Sequence, residues 1–342
     1  MPTCLQCRTG SYQGLIPNNH YAPVLMNRGV FSFWAESRSC PFSLIPFRID
    51  GCPERRYDKR KTRGETMQEY HIQDSTGTRA VILPEKGATV ISLRKGETEF
   101  LYCDSQNLSS PERPRCGIPF LFPIFGRLQD GKYIWDGAEY AMAIHGFGHA
   151  SSWEVVAQSE TMLRLVLEAN EDTLLQYPFR FRVTLEFSIE QGALTLRQTY
   201  ENLDEKPMPY NYGFHPYFLT EKPEDLRVET TADTFFDFAV GGKAFGHGSV
   251  SLSVPEGAPE AGAAFMGVHG PTVLHNDKAR KRLTMEFDES FHTHVLWTQA
   301  GKNFLCVEPV NGSANGLNTG VYLTLQPGES KTAFLRLRPE IM

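Results

Sequence analysis

The sequence has no hydrophobic run long enough to cross a bilayer. Its longest apolar stretch, residues 118–125, is interrupted by Pro119 and Pro123, whereas a membrane-spanning helix needs about 20 apolar residues. Basic residues are not in excess either, since 34 Lys and Arg face 40 Asp and Glu, for a net charge of −6. We therefore expect neither a membrane nor nucleic acid as the principal partner.

Cysteine is sparse outside the N-terminal region. Residues 67–342 contain only Cys103, Cys116 and Cys306, and their wide spacing does not indicate a disulfide framework, so we expect a reducing cytoplasm. Cys4 and Cys7 have metal-site spacing, but no second pair follows them at a metal-site distance. The chain also lacks a glycine-rich phosphate loop and a clustered set of metal ligands. We expect no metal and no other cofactor.

Residues 1–66 differ from the rest of the chain in charge and pattern. They carry 10 basic and 5 acidic residues, against 24 and 35 in residues 67–342. They show no sustained period and end in a basic run at residues 55–61. Three interpretations compete: a targeting peptide without the apolar core of a secretory signal, a disordered extension, or translation from a mis-set start upstream of Met67. We favour the last two and predict a poorly structured segment without chemistry.

From Met67 onward the hydrophobic pattern has a period of two. In residues 181–190, 194–197 and 282–287 apolar side chains alternate with polar ones, which is typical of strands with one buried face. Turn signals punctuate these runs at residues 130–131, 136–137, 191–192, 241–242 and 327–328. The best helical stretch is short, residues 171–177 before Pro178. The pattern predicts an all-β fold, a large antiparallel β-sandwich, as one domain over residues 67–342.

Four short motifs in this domain could carry chemistry. They are GIPFLFPIFGR at 117–127, IHGFGH at 144–149, NYGFHPYF at 211–218 and FLCVEP at 304–309. Each has a plain structural explanation: a histidine among aromatics is usually a core residue, and a glutamate at a strand end is usually solvated. Pro216 nevertheless favours extended backbone at His215. The glycines around His145 argue against a helical zinc site formed with His149.

Together these motifs resemble, in order and spacing, the aldose 1-epimerase family, also described as galactose mutarotase-like. The matching residues are 117–128, HGF at 145–147, FHPYF at 214–218 and CVEP at 306–309. The resemblance covers residues 67–342 and none of residues 1–66, the leader. It implies the galactose mutarotase-like supersandwich and an isomerase that interconverts the α and β anomers of an aldohexose.

The resemblance also implies roles for individual residues. Glu308 would be the general base at the anomeric hydroxyl and His215 the general acid at the ring oxygen. His145 would hydrogen-bond the ring-oxygen side, and Arg127 would bind sugar hydroxyls. From the motif itself, Asn211 could offer hydrogen bonds, and Phe214, Tyr217 or Trp297 could stack on the apolar sugar face. Both proton transfers suit these groups near neutral pH.

The chain departs from the family pattern at three places. Gly148 and His149 stand where many relatives carry Ala and Arg after HGF, and Val310 stands where many carry Trp after Glu-Pro. The family's acidic sugar-binding residue has no clean counterpart at residues 260–275, although Asp233 and Asp237 are close in sequence. These differences predict an intact catalytic pair with altered substrate recognition.

Two alternative functions remain open at this stage. A hexose-6-phosphate 1-epimerase of the same superfamily would need basic residues at the site mouth, which Arg113, Arg115 and Arg127 could supply. A non-catalytic carbohydrate-binding or sensor protein could use the same fold. For either function we expect a small-molecule sugar as the partner, and the chain as a monomer or homodimer.

Overall fold

The computed structural model describes residues 67–104, residue 108 and residues 115–342. The N-terminal segment 1–66, with its predicted lack of structure, and Arg113 lie outside the described residues. Within them the chain is almost entirely strand and turn, which confirms the predicted all-β class.

The described residues form 23 strands. The first twelve are β1 Tyr70–Gln73, β2 Thr78–Leu83, β3 Thr89–Lys95, β4 Thr98–Glu99, β5 Phe120–Leu121, β6 Lys132–Trp135, β7 Ala138–Ala141, β8 Glu154–Gln158, β9 Met162–Glu168, β10 Phe181–Glu190, β11 Ala193–Asn202 and β12 Met208–Tyr210. The others are β13 Gly213–Phe214, β14 Tyr217–Leu219, β15 Arg227–Asp237, β16 Gly241–Ser251, β17 Glu260–Met266, β18 Thr272–Asn276, β19 Lys281–Phe287, β20 Thr293–Gln299, β21 Phe304–Val310, β22 Leu323–Leu325 and β23 Ser330–Ile341.

One large antiparallel sheet dominates the fold. Its order is β5-β13-β21-β20-β17-β15-β18-β19-β23-β11-β10-β9-β8, with β14 also paired to β21 and β16 also paired to β15. A second sheet, β1-β2-β3-β4, contacts β9, β10, β11 and β23 of the large sheet. Two ribbons, β6-β7 and β12-β22, complete the described sheets. This arrangement confirms the predicted large β-sandwich.

The period-two runs lie on strands whose apolar side faces the interior. Along β10 every second residue from Phe181 to Ile189 is buried, and Leu283 and Met285 of β19 are buried as well. These side chains belong to one large cluster with residues of the second sheet such as Ile82 and Val90. The alternation in sequence therefore produces the core between the two sheets.

Two-residue turns close the hairpins where the sequence predicts them. Asp136 and Gly137 join β6 to β7, and Gln191 and Gly192 join β10 to β11, all four with positive φ. Such turns match the right-handed twist of the flanking strands. Gly241 and Gly242 differ from the prediction, because they already pair within β16 and the turn precedes them.

The two α-helices whose bounds the structure describes are single turns, and short 3₁₀ turns lie at Pro84–Lys86, Gln129–Gly131, Gly148–Ala150 and Pro223–Asp225. The predicted helix at 171–177 is shorter than expected, α1 Glu171–Leu174, with Asn170 and Thr173 forming a capping box. After it, Gln176 N and Tyr177 N both donate to Thr173 O, and the Tyr177 hydroxyl donates to Pro209 O. The second helix is α2 Gly316–Thr319. No described helix is long and apolar enough to cross a membrane.

Candidate active site

Strand β21 is the buried strand on which the candidate site is built. All seven of its residues, Phe304–Val310, are buried. It pairs with β20 on one side, and on the other side with β13 and then β14. His215 and Pro216 interrupt that second side, because proline has no N–H to donate to the strand ladder.

The register across this interruption places His215 opposite Glu308. Gly213 pairs with Val310, and Tyr217 pairs with Cys306. His215 lies midway between Gly213 and Tyr217, and Glu308 lies midway between Cys306 and Val310, so the two face each other. Directly opposed residues of an antiparallel pair project to the same face of the sheet. His215 Nε2 lies 3.2 Å from Glu308 Oε1, and the two side chains are 2% and 4% exposed. A titratable pair with this geometry can pass protons to a shared ligand.

Three rings fix the orientation of the His215 imidazole. Tyr217 stacks on it, with centroids 4.7 Å apart and planes 14° apart. Trp297 and His145 meet it edge-on at 5.9 Å and 5.5 Å. Packing on several sides restricts both rotation and hydration of the imidazole. Tyr217 and Trp297 are themselves buried and share a small cluster with Phe304 and Cys306.

His145 is held by a reciprocal pair of hydrogen bonds with Gly126. Gly126 N donates to His145 Nδ1 at 3.1 Å, and His145 N donates to Gly126 O at 2.9 Å. Because Nδ1 is an acceptor, the neutral ring carries its proton on Nε2. His145 adopts a φ of 65°, which is uncommon outside glycine and concentrates at functional sites.

Arg127 follows Gly126 directly and is exposed. It therefore begins one residue away from the backbone that hydrogen-bonds the buried His145. The GIPFLFPIFGR motif thus contributes both a backbone donor to the imidazole and a guanidinium at the surface. A guanidinium offers a planar set of N–H donors suited to hydroxyls or anionic oxygens.

Asn211 lies in contacts with the protein rather than on an open face. Its Oδ1 accepts from Asn311 Nδ2 at 3.2 Å, and its Nδ2 donates to Val321 O at 2.9 Å. Asn311 Oδ1 in turn accepts from Tyr212 N at 2.6 Å. These bonds connect the segment before His215 to the segment after Glu308. Phe214, expected as a possible stacking surface, packs instead in the main core against Phe120 and Phe291.

Sequence reasoning missed Glu260 at the edge of this site. Glu260 begins β17, is partly buried, and its Oε2 accepts from Trp297 Nε1 at 3.2 Å. It therefore brings a carboxylate beside a ring that contacts His215. Asp233 and Asp237, the candidates nearest in sequence, lie on β15, and Asp237 caps the turn after that strand. Glu260 lies beside Trp297 because β17 pairs with β20, and the positions of the two residues in the sequence do not reveal this pairing.

The expectation that the cysteines form no disulfide is wrong. Their spacing did not indicate disulfides, yet Cys103 and Cys116 form one, with Cα atoms 4.1 Å apart. The two residues face each other in an isolated antiparallel bridge, which brings them together across thirteen positions of sequence. Cys306 is buried and lies outside the disulfide. It is also the cysteine in the candidate site, since one ligand atom each of His215, Cys306 and Glu308 lie within 4.8 Å of one another.

Tyr102 and Arg115, which precede the two disulfide cysteines in the sequence, form the adjoining rim of the candidate site. Tyr102 N donates to Tyr217 O at 2.8 Å, and Gly117 N donates to Tyr102 O. Burial, together with the nearby charge of Asp104, raises the pKa of the Tyr102 phenol, and Arg115 partly offsets that rise. Arg115 Nη1 donates to Gln299 Oε1 at 2.9 Å, at the end of the strand that carries Trp297.

Comparison with known proteins agrees with this architecture. Residues 68–338 match the profile of the aldose 1-epimerase family. The Slr1438 protein from Synechocystis sp. PCC 6803 is 28% identical, with a TM-score of 0.73 over 81% of this chain and 97% of that one. A galactose mutarotase related enzyme from Lactobacillus acidophilus is 21% identical, with a TM-score of 0.67 over 80% of this chain and 97% of that one.

One curated relative has a more specific name. A protein from Cenchrus ciliaris, named provisionally as a glucose-6-phosphate 1-epimerase, is 24% identical over 144 residues. That match covers 38% of this chain and 40% of the relative.

Proposed function

The chain belongs to the aldose 1-epimerase family, and we propose that it is an isomerase that interconverts the α and β anomers of an aldohexose. The observation that carries the proposal is the contact of 3.2 Å between His215 Nε2 and Glu308 Oε1 in a buried setting. Opening a hemiacetal needs one group that removes a proton from the anomeric hydroxyl and another that protonates the ring oxygen. The pair supplies one of each.

In the proposed reaction Glu308 is the base and His215 the acid. The Glu308 carboxylate accepts the proton of the C1 hydroxyl while the imidazolium form of His215 gives its Nε2 proton to the ring oxygen, and the C1–ring oxygen bond breaks. The open-chain aldehyde rotates about C1–C2. The ring oxygen then attacks the other face, and both protons return to their starting positions.

The sugar has to replace the direct contact between the two side chains. In the free protein His215 Nε2–H donates a hydrogen bond to Glu308 Oε1. When a sugar binds between the two side chains, the same N–H would donate to the ring oxygen of the sugar instead. The surrounding rings exclude water from the imidazole, which strengthens these interactions.

The other predicted residues support this pair in the proposal. His145 presents an Nε2–H donor to the ring-oxygen side, and Arg127 binds hydroxyls from the exposed rim. Tyr217 and Trp297 border the sugar through their contacts with His215. We propose that Asn211 acts mainly by holding residues 311–316 beside Glu308, because both the oxygen and the nitrogen of its side-chain amide already bond within the protein.

Polarimetry or anomer-resolved NMR on freshly dissolved α-D-glucose and α-D-galactose tests the proposal. We expect the full chain to accelerate anomer exchange, and Glu308→Gln and His215→Asn each to lower kcat by about 10²- to 10⁴-fold, the usual contribution of acid–base catalysis. Glu154→Gln, an exposed strand residue, is the matched control and should keep the full rate. An unchanged rate in Glu308→Gln would remove that residue as the base.

A hexose-6-phosphate substrate is the second candidate. Arg115 lies on the rim next to the strand of Trp297, where a phosphate group could meet it, and the Cenchrus ciliaris relative carries a name of this kind. Activity on glucose 6-phosphate alone, reduced by Arg115→Gln, would establish this candidate. Silence on both kinds of sugar, together with sugar binding, would indicate a sensor.

We propose that the protein acts in the cytoplasm, with a small sugar as its partner. The Cys103–Cys116 disulfide bears on this location, because such bonds are rare in reducing compartments. Cell fractionation combined with mass spectrometry of trapped thiols would measure both the location and the state of the two cysteines. A protein found only in an oxidising compartment would contradict the proposal.

A further inference from the structure

The buried thiol of Cys306 has no part in the proposed reaction, yet it lies close to both members of the proposed catalytic pair. Cys306 precedes Glu308 by two residues on β21, so both side chains project to the same face. It pairs with Tyr217, two residues beyond His215. Among the described residues, His215, Cys306 and Glu308 form the one group of His, Cys, Asp or Glu side chains with ligand atoms close enough to share a metal ion.

The separations are close to those around a tetrahedral ion. Zinc bonds to His nitrogen and to carboxylate oxygen are about 2.0 to 2.2 Å long, and zinc–thiolate bonds about 2.3 Å, which puts neighbouring tetrahedral ligands about 3.3 to 3.6 Å apart. His215 Nε2 and Glu308 Oε1 are 3.2 Å apart, and one ligand atom of each of the three residues lies within 4.8 Å of the others. A shift of about 1 Å at the thiol would complete the set.

The chemistry of the three ligands selects the ion. A thiolate and an imidazole favour Zn²⁺ and similar soft or borderline ions, whereas Mg²⁺ and Ca²⁺ need oxygen ligands. Three protein ligands leave a fourth position for water. On binding, the thiol releases its proton to solvent, and the ligating nitrogen of His215 must be unprotonated.

We propose that His215, Cys306 and Glu308 bind a single zinc-like ion, and that this ion inhibits the enzyme by occupying both proton-transfer groups. The proposed binding is argued from the ligand geometry and does not depend on the proposed function. The inhibition rests on the proposed function, since it assumes that His215 and Glu308 carry the reaction. A route that admits a hexose to these residues would also admit a hydrated ion.

Co²⁺ titration of the full chain tests the binding without any activity measurement. We expect one Co²⁺ per chain at this site, with a thiolate-to-cobalt charge-transfer band in the near ultraviolet and intense tetrahedral bands in the visible region. Cys306→Ala should abolish the charge-transfer band. The double variant Cys4→Ser, Cys7→Ser is the matched control, because it removes the other closely spaced thiols, and it should keep the band.

Two results would overturn the proposal. A band that survives in Cys306→Ala and disappears in the Cys4, Cys7 variant would place the thiolate ligand in the leader. Absence of any charge-transfer band in the folded wild type would also refute it. If Cys306→Ala does not fold, His215→Asn provides the same comparison, since it should weaken Co²⁺ binding and shift the visible bands.

Inhibition is then measured on whichever sugar the enzyme accepts. Zn²⁺ should inhibit and Mg²⁺ should not, and EDTA should restore the metal-free rate. Changes in outer-shell groups already lower metal affinity by about 10- to 100-fold, so loss of a ligand in Cys306→Ala should raise the half-inhibiting Zn²⁺ concentration by at least about 100-fold. Each variant is compared with its own metal-free rate. Co²⁺ binding without sugar activity would defeat the proposed function and leave the metal site standing.

Discussion

His215 and Glu308 meet in a place where both have lost most of their hydration. An isolated buried charge costs several kcal/mol, and the contact of 3.2 Å offsets that cost only while both partners are present. Amide replacements such as Glu308→Gln and His215→Asn keep a hydrogen-bonding group in place. They are therefore better probes of catalysis than alanine, which would leave the other side chain buried without this partner.

His294 is a second buried histidine, below the site on the same strand as Trp297. It is fully buried, and its Nδ1 contacts Thr272 Oγ1 at 3.1 Å, which in turn contacts Thr230. Burial, together with the neighbouring His292, lowers the pKa of the imidazole to about 3. His294 is therefore neutral in the folded protein under ordinary conditions.

This lowered pKa predicts a pH dependence of stability. Between about pH 6.5, the unfolded pKa of histidine, and about pH 3, the unfolded chain binds a proton at His294 that the folded chain does not. The contribution of neutral His294 to the free energy of unfolding is therefore fully present above about pH 6.5 and is lost as the pH falls through this window. His294→Gln should remove up to about 1.4 kcal/mol per pH unit from that slope, as measured by denaturant unfolding. His269→Asn, an exposed control, should not alter the slope.

Strand β21 shows what an element contributes that a residue does not. Its own sequence predicts an extended run that contains Glu308 and Pro309, and all seven residues of the strand are buried. Its neighbours β13 and β14, interrupted at Pro216, determine which histidine faces that glutamate. The site is therefore a product of strand register, and any change that shifts β13 or β21 should separate the acid from the base.

Gly146, next to His145, offers a test at the level of the turn. Gly146 has a φ of 73°, and an added Cβ would lie 2.3 Å from Phe122 O. Gly137 has a φ of 78°, but an added Cβ would meet nothing within 4 Å. Gly137→Ala should cost only the left-handed backbone penalty, about 1 to 2 kcal/mol. Gly146→Ala should cost more and also lower activity, because it displaces the His145 turn.

Chemical denaturation and anomer exchange measured on both glycine variants decide this prediction. Equal losses of unfolding free energy, with full activity in Gly146→Ala, would show that the turn can adjust without moving His145.

The disulfide is an element-scale link between the rim and the body. Cys103 and Cys116 close a loop of about 14 residues, for which a crosslink contributes about 3 kcal/mol to stability. Cys103→Ser with Cys116→Ser should lower the unfolding free energy by that amount. A reducing agent should lower that of the wild type equally and leave the double variant unchanged. Identical stability of the oxidised wild type and the double variant would contradict the prediction.

At the scale of the whole molecule, the chain divides by charge and by pattern near Met67. All 23 described strands lie beyond it, and the family match begins at residue 68. We predict that deletion of residues 1–66 leaves kcat and the melting temperature close to those of the full chain. Size-exclusion chromatography, thermal unfolding and anomer exchange on the two proteins would measure this. An insoluble or inactive product would show that the leader is part of the core.

The sequence by itself determined the fold class and the family. Alternation in runs such as residues 181–190 requires one buried face, and paired turn residues such as Asp136 and Gly137 require hairpins, whatever the rest of the chain does. The order of the four motifs identified the family. These features are local, so they can be read without knowing which strands become neighbours.

Tertiary structure decided the contacts on which the site depends. The opposition of His215 and Glu308, the approach of Cys306, the Glu260 contact with Trp297 and the Cys103–Cys116 disulfide all join positions far apart in sequence. Their spacing along the chain carries no distance information, because strand order and register set which residues meet. The same register that gives the proposed reaction its acid and base also brings a thiol close to both of them.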